Sequence, residues 1–199
     1  MNTASDQSAM ATPAGRYSGI SILLHWLMVA GILAATVMAV YMVGIAGITP
    51  TKLRLFNYHK WLGVCLWFLV LLRLMWRWKN PPPPLPDSMP DWQRYAAAIG
   101  HAGLYVLMLI IPVLGYFYSL AAGYPVVLFG QWPLPVLMGA DPELKEWFKS
   151  AHRFANRALW LILLAHVGAA LKHAFLDRDG IMHRMLPWGD VTGRRREIG

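Results

Sequence analysis

Residues 151–177 read AHRFANRALWLILLAHVGAALKHAFLD, an apolar run of helix length that carries His152, His166 and His173. At about 100° of turn and 1.5 Å of rise per residue, fourteen residues return to within roughly 40° of the same face and climb about 21 Å. His152 and His166 are therefore predicted to point in one direction at two depths of the helix. An ionisable ring inside a lipid-spanning helix usually marks a functional site.

Imidazole is a common axial ligand of haem iron, so this helix is predicted to supply one ligand to each of two stacked haems. Because Cys65 is the only cysteine, the chain cannot form an internal disulfide or a cysteine-ligated iron–sulfur or zinc cluster. Redox chemistry in this chain would therefore depend on histidine and a bound cofactor.

The composition is that of one integral membrane domain. Hydrophobic residues make up 57% of the 199 residues and charged residues only 14%, and the mean hydropathy is +0.41. Ten Trp and eight Tyr suit two interfacial aromatic belts. The net charge of +8 does not indicate nucleic-acid binding, because the basic residues flank apolar segments instead of forming one patch.

The hydropathy pattern predicts an all-α integral membrane fold, a bundle of four transmembrane helices, and the histidine spacing predicts that the bundle encloses two haems. The proline-rich linker NPPPPLPDSMPD separates the second helix from the third, and Pro112 predicts a kink in the third. Residues 123–150 are interpreted as an interfacial loop with a short amphipathic helix from Pro142, because their many prolines and glycines disfavour a fifth span. The predicted parts are a tail at 1–19, a membrane domain at 20–187 with helices at about 20–46, 58–78, 96–122 and 151–176, and a basic tail at 188–199.

Lys and Arg near the span ends favour both termini on the cytoplasmic side, with eleven such residues inside and seven outside. In that topology His59 and His152 both lie at outer ends of their helices. His25 lies at an inner end, and His166 approaches its depth. The expected pairs are His59 with His152 around an outer haem and His25 with His166 around an inner haem.

Other histidines compete for these roles. His173 keeps nearly the face of His166, but its distance from His152 would be about 31 Å, the whole hydrocarbon thickness. We therefore favour His166 as the inner ligand and assign His173 a contact with a haem propionate or a quinone. His101 is expected to make a packing or polar contact, and His183 to be solvated. Any one of these histidines, taken alone, is equally well explained as an interfacial or hydrogen-bonded side chain.

Several segments together resemble the bacterial cytochrome b561 family. The resemblance covers residues 17–187, and its most specific parts are the histidine pair of the fourth helix and the closing HAFLDRDGIMHRMLP. The other matching segments are ISILLHWL, FNYHKWLGV, GHAGLYVLMLIIPVLGY and GYPVVLFG.

The resemblance implies four helices that hold two haems b, with His25, His59, His152 and His166 as axial ligands of the iron. It further implies a bacterial inner-membrane protein that works in lipid and exchanges electrons with ubiquinone or another quinone and with a second partner. Some family members oxidise superoxide and deliver its electron to ubiquinone, and Lys52, Arg54 and Lys60 at the outer end of the second helix are suited to steer that anion.

Two other functions fit the same sequence. The first alternative is a haem b membrane anchor that passes electrons between a dehydrogenase or hydrogenase subunit and quinone. The intramembrane histidines of the chain would also suit a haem-free channel or transporter that relays protons.

Overall fold

The computed structural model describes residues 15–87 and 89–188, and most of this chain is helical. A two-residue strand pair, β1 with β2, forms a hairpin between the last two helices. A π-helical turn and a 3₁₀ turn follow the fourth helix. The elements in order are α1 (Gly19–Gly44), α2 (Pro50–Lys79), α3 (Asp91–Ala121), β1 (Val127–Leu128), β2 (Trp132–Pro133), α4 (Pro142–Lys172), the π turn (His173–Asp177) and the 3₁₀ turn (Met182–Met185).

All four helices are long and apolar enough to cross a membrane, and within the described residues no other helix is. Their apolar side chains are largely exposed in the isolated chain, as Val40 at 71% and Leu161 at 69% illustrate. Such apolar surfaces match the hydrocarbon core of a membrane. The backbone polar groups need no water there, because they are satisfied within each helix. The predicted fold class, an all-α membrane bundle of four helices, is confirmed.

Helices α2 and α4 begin earlier than the hydropathy pattern indicated. Thr49 caps α2 by accepting from the Lys52 backbone N–H, and Asp141 caps α4 by accepting from two backbone N–H groups. Each cap is followed by a proline at the first helical position, where a missing N–H costs nothing. Residues 50–57, which the predicted bounds leave between the first two helices, are therefore helical, and the amphipathic helix predicted from Pro142 is the first part of α4.

We call the end where α1 ends and α2 begins, near Gly44 and Pro50, the hairpin end. Here Trp61 of α2 donates from Nε1 to the Val127 carbonyl at 2.7 Å. Its ring also packs against Phe129, with 5.4 Å between ring centroids. The predicted interfacial loop thus contains a small hairpin fixed to α2, which the sequence analysis did not predict.

We call the opposite end, where α1 begins at Gly19 and α2 ends at Lys79, the terminal end. The segment after α4 folds back here onto α1, since Trp26 donates to the Met185 carbonyl at 3.0 Å. Trp76 of α2 donates to the hydroxyls of Ser18 and Ser21. Of the predicted tails at 1–19 and 188–199, residues 1–14 and 189–199 lie outside the described residues.

Candidate cofactor site

Four of the predicted site residues form two imidazole pairs. His59 of α2 and His152 of α4 form the hairpin-end pair, with 6.5 Å between ring centroids. His25 of α1 and His166 of α4 form the terminal-end pair, with 6.4 Å between ring centroids. These are the pairings expected from spacing and topology, and α4 contributes to both.

The separations suit two imidazoles that share one metal ion. A metal–imidazole bond is about 2.0–2.1 Å long, as in zinc sites, so two rings on opposite sides of one metal would have centroids about 6 Å apart. Both pairs have that spacing. The main helix contacts join α1 to α2, α2 to α3 and α3 to α4, while the imidazole pairs lie between α4 and the helices α1 and α2. The residues therefore fit a flat, bis-histidine cofactor at each pair.

Backbone carbonyls orient both rings of the hairpin-end pair. His59 Nδ1 lies 3.1 Å from the Ala35 carbonyl oxygen, and His152 Nδ1 lies 3.0 Å from the Ile111 carbonyl oxygen. A carbonyl only accepts, so each Nδ1 carries the hydrogen and each Nε2 keeps its lone pair. This is the tautomer that a metal ligand needs, and such second partners typically fix ligand orientation.

Gly115 lets the His152 ring reach the Ile111 carbonyl. It lies one turn after Ile111 on α3, and a Cβ added there would be 3.1 Å from His152 Cε1 and 3.3 Å from Nδ1. The sequence analysis missed Gly115 and both carbonyl partners. Gly115 is the last of three glycines in the segment GHAGLYVLMLIIPVLGY, and only packing shows which ring it meets.

Replacing Gly115 by alanine is expected to displace the His152 ring and destabilise the protein by about 1–3 kcal/mol, as overpacking usually does. Thermal unfolding in detergent measures this as a lower Tm. Gly100→Ala is the matched control in α3, because a Cβ there would meet no described atom within 4 Å. The control should be neutral or up to about 1 kcal/mol more stable through helix propensity. Equal effects of the two substitutions would contradict this role of Gly115.

The surroundings of the terminal-end pair are different. His25 Nδ1 lies 3.2 Å from Arg73 Nη2, so its neighbour is a cation instead of a carbonyl. The His101 ring packs edge-on against His166 with 5.2 Å between centroids. This separation is shorter than that of the two pairs, and it agrees with the contact role expected for His101.

His173 lies outside both pairs. Its Nδ1 is 2.7 Å from Asp179 Oδ2 and 3.1 Å from Asp177 Oδ2, at the terminal end of the bundle. His183 is exposed in the 3₁₀ turn, as expected. His166 is the ring that faces His25, and we therefore keep it as the proposed ligand in place of His173.

Comparison with known proteins gives matches over most of this chain. A family sequence model described as prokaryotic cytochrome b561 matches residues 16–188. "Cytochrome b561 homolog 2" of Escherichia coli (strain K12) is 31% identical over 172 residues, which cover 86% of this chain and 91% of the relative. "Cytochrome b561 homolog 1" of the same organism is 28% identical over 173 residues, covering 86% and 97%. "Probable superoxide oxidase CybB" of Yersinia pestis is 24% identical over 179 residues, covering 86% and 96%.

Proposed function

Since the chain belongs to the prokaryotic cytochrome b561 family, we propose that it conducts electrons across the bacterial membrane between a donor at the hairpin end and a quinone at the terminal end. In this proposal His59 and His152 hold one haem b, and His25 and His166 hold a second. Membrane electron transfer and haem b follow from the family, whereas the number of haems, their ligands and the quinone are proposed for this chain. Family membership removes the support for a haem-free channel.

The observation that carries the proposal is the repeated imidazole spacing. Two pairs with separations of 6.5 and 6.4 Å stand fourteen residues apart along α4. A haem with two imidazole ligands supplies one-electron transfer and has no open position for oxygen or substrate at the iron. Two such sites, about 21 Å apart along one helix, divide a path across the roughly 30 Å hydrocarbon core into short steps.

The orientation of the bundle is also part of the proposal. The terminal end is assigned to the cytoplasm, because Lys and Arg are more numerous around that end than around the other. The hairpin end then faces the periplasm. Electrons that enter at the hairpin end would leave at the cytoplasmic end of the bundle.

Superoxide is the donor that we propose for the hairpin end. One similar protein bears the name of a probable superoxide oxidase, and basic residues of α2 lie at this end. Arg54 is exposed, whereas Lys60 Nζ contacts Ser119 Oγ at 3.4 Å and Lys52 Nζ donates to the Ile45 carbonyl at 2.8 Å. In the balanced reaction, two superoxide anions, one quinone and two protons give two molecules of oxygen and one quinol.

The direct test uses the purified chain in liposomes that contain ubiquinone. Superoxide generated outside should produce quinol at a rate that depends on the protein, without any other subunit. Quinol that forms only when a dehydrogenase or hydrogenase subunit is added would overturn the superoxide proposal and support the membrane-anchor function.

Replacing Lys52, Arg54 and Lys60 together by glutamine is expected to slow superoxide-driven reduction about ten-fold at low salt. The reason is the loss of electrostatic steering, which raises association rates by about 10- to 1,000-fold and weakens with ionic strength. Stopped-flow rates at several salt concentrations measure both effects, and the variant should also have a flatter salt dependence. Lys79→Gln, at the exposed opposite end of α2, is the control. An unchanged rate and salt dependence in the triple variant would contradict steering.

A further inference from the structure

Arg73 is a charged residue within the α2 span that the proposed function does not yet use. It follows His59 by fourteen residues, the interval that also separates His152 from His166. That interval restores the same helix face to within roughly 40° and adds about 21 Å of rise. Arg73 therefore occupies, on α2, the level of the terminal-end pair, on the face that presents His59 to the hairpin-end pair.

The guanidinium of Arg73 is only partly hydrogen-bonded. Its Nε donates to the Tyr105 hydroxyl at 3.0 Å, and its Nη2 lies 3.2 Å from His25 Nδ1. Nη1 is buried and has no hydrogen-bond partner among the described residues. Buried donors in native proteins are nearly always paired, so the two N–H groups of Nη1 require an acceptor.

The contact with His25 leads to the same requirement. Arginine only donates, so His25 Nδ1 would have to accept, and the hydrogen of the neutral ring would then lie on Nε2. A metal bound at Nε2 needs the lone pair of that nitrogen, so the hydrogen of the ring must lie on Nδ1. This N–H would then face the N–H of Arg73, and two donors would meet without an acceptor. An oxygen atom that accepts from both groups removes this conflict. Backbone carbonyls do this for the rings of the hairpin-end pair.

The charge indicates which kind of acceptor fits. The ion pairs found within residues 15–87 and 89–188 lie on α4 and the turn after it, and none includes Arg73 or Arg77. Arg77 and Tyr105 line the same small cavity as Arg73 at the terminal end. Guanidinium groups inside a membrane are costly without an anion, and a carboxylate matches them in charge and geometry. A quinone carbonyl accepts hydrogen bonds but would leave the charge unbalanced.

We infer that Arg73 binds a propionate carboxylate of the haem at the terminal-end pair and so retains that haem. The inference rests on the proposed function, because it requires a haem between His25 and His166. Arg73 would also hold its positive charge beside this haem, which favours the reduced iron.

The experiment uses the full chain with His59→Ala, which is expected to hold only the terminal-end haem. Two chemical forms of haem are compared at that site. The apoprotein is reconstituted with haem b or with haem dimethyl ester, whose propionates are esterified, and transfer of the haem to apomyoglobin gives the loss rate. With haem b, Arg73→Gln should accelerate loss about 10- to 100-fold, as removal of a charged hydrogen bond would. With the dimethyl ester the same substitution should add nothing. Arg54→Gln, which removes a guanidinium from the other end of α2, should have no effect with either haem.

Equal acceleration with both haems would overturn the inference, because Arg73 would then act through His25, through a quinone or through packing. The midpoint potential is a second readout, and Arg73→Gln should lower it by removing a cation. A higher potential would mean that Arg73 instead stabilises an anionic His25 ring, which also overturns the inference. If Arg73→Gln does not fold, the His59→Ala variant with native Arg73 decides. In that variant the dimethyl ester should be lost faster than haem b. A His59→Ala variant that binds no haem refutes the proposed function as well, whereas normal binding with no Arg73 effect refutes only the inference.

Discussion

Alanine at position 166 is expected to reduce the haem content from two per chain to one. His166 is the ring of α4 that faces His25 at 6.4 Å, and the remaining ligand cannot hold the iron from both sides. His152→Ala should remove the other haem, since its ring faces His59 at 6.5 Å. Haem and protein quantified in the same purified sample measure the ratio, and redox titration identifies which haem remains.

The controls for this prediction are the two histidines that also belong to the last part of the chain. His183→Ala and His173→Ala should each retain two haems, because His183 is exposed and His173 contacts carboxylates. A loss of haem in His173→Ala with full retention in His166→Ala would mean that the terminal-end ligand has been assigned wrongly.

Glutamine at position 173 is expected to slow quinone turnover about 100-fold while both haems remain. In the proposed function quinone reduction consumes two protons at the terminal end, where His173 lies 2.7 Å from Asp179 and 3.1 Å from Asp177, and we propose that this imidazole relays them. A positioned acid–base group typically contributes 10²- to 10⁴-fold, and glutamine keeps polarity but cannot ionise. Quinol formation in liposomes gives the rate, and the haem-to-protein ratio serves as the structural check.

His183→Gln is the matched control, because it removes an imidazole from the same end of the bundle without touching His173 or the two carboxylates beside it. Asp179→Asn should reproduce part of the effect, since it leaves the ring in place but removes its nearest carboxylate. Normal quinone turnover in His173→Gln would place proton exchange elsewhere.

The sequence was sufficient for the parts of the fold that depend on long-range periodicity. Apolar runs of more than twenty residues predicted four spans, and the fourteen-residue interval in α4 predicted two imidazoles on one face. The helix start at Pro50 was missed, because it follows from the Thr49 cap and not from hydropathy. The helix predicted from Pro142 does begin there, but its continuity with the fourth span was not predicted. The Thr-Pro pair was the signal that would have found the start at Pro50.

The environment of each imidazole was beyond the sequence. Backbone carbonyls of Ala35 and Ile111 have no side-chain signature, and the effect of Gly115 depends on which ring packs against it. Arg73 was visible as a charge inside a span, but its partners His25 and Tyr105 come from two other helices. Contacts between helices are set by packing, which a single sequence does not encode locally.

Anomalous diffraction at the iron edge, from crystals of the haem-loaded protein, tests the central claim most directly. The account predicts two iron atoms per chain about 21 Å apart, one bonded to Nε2 of His59 and His152 and the other to Nε2 of His25 and His166. A single iron atom, or an iron bonded to His101 or His173, would contradict it.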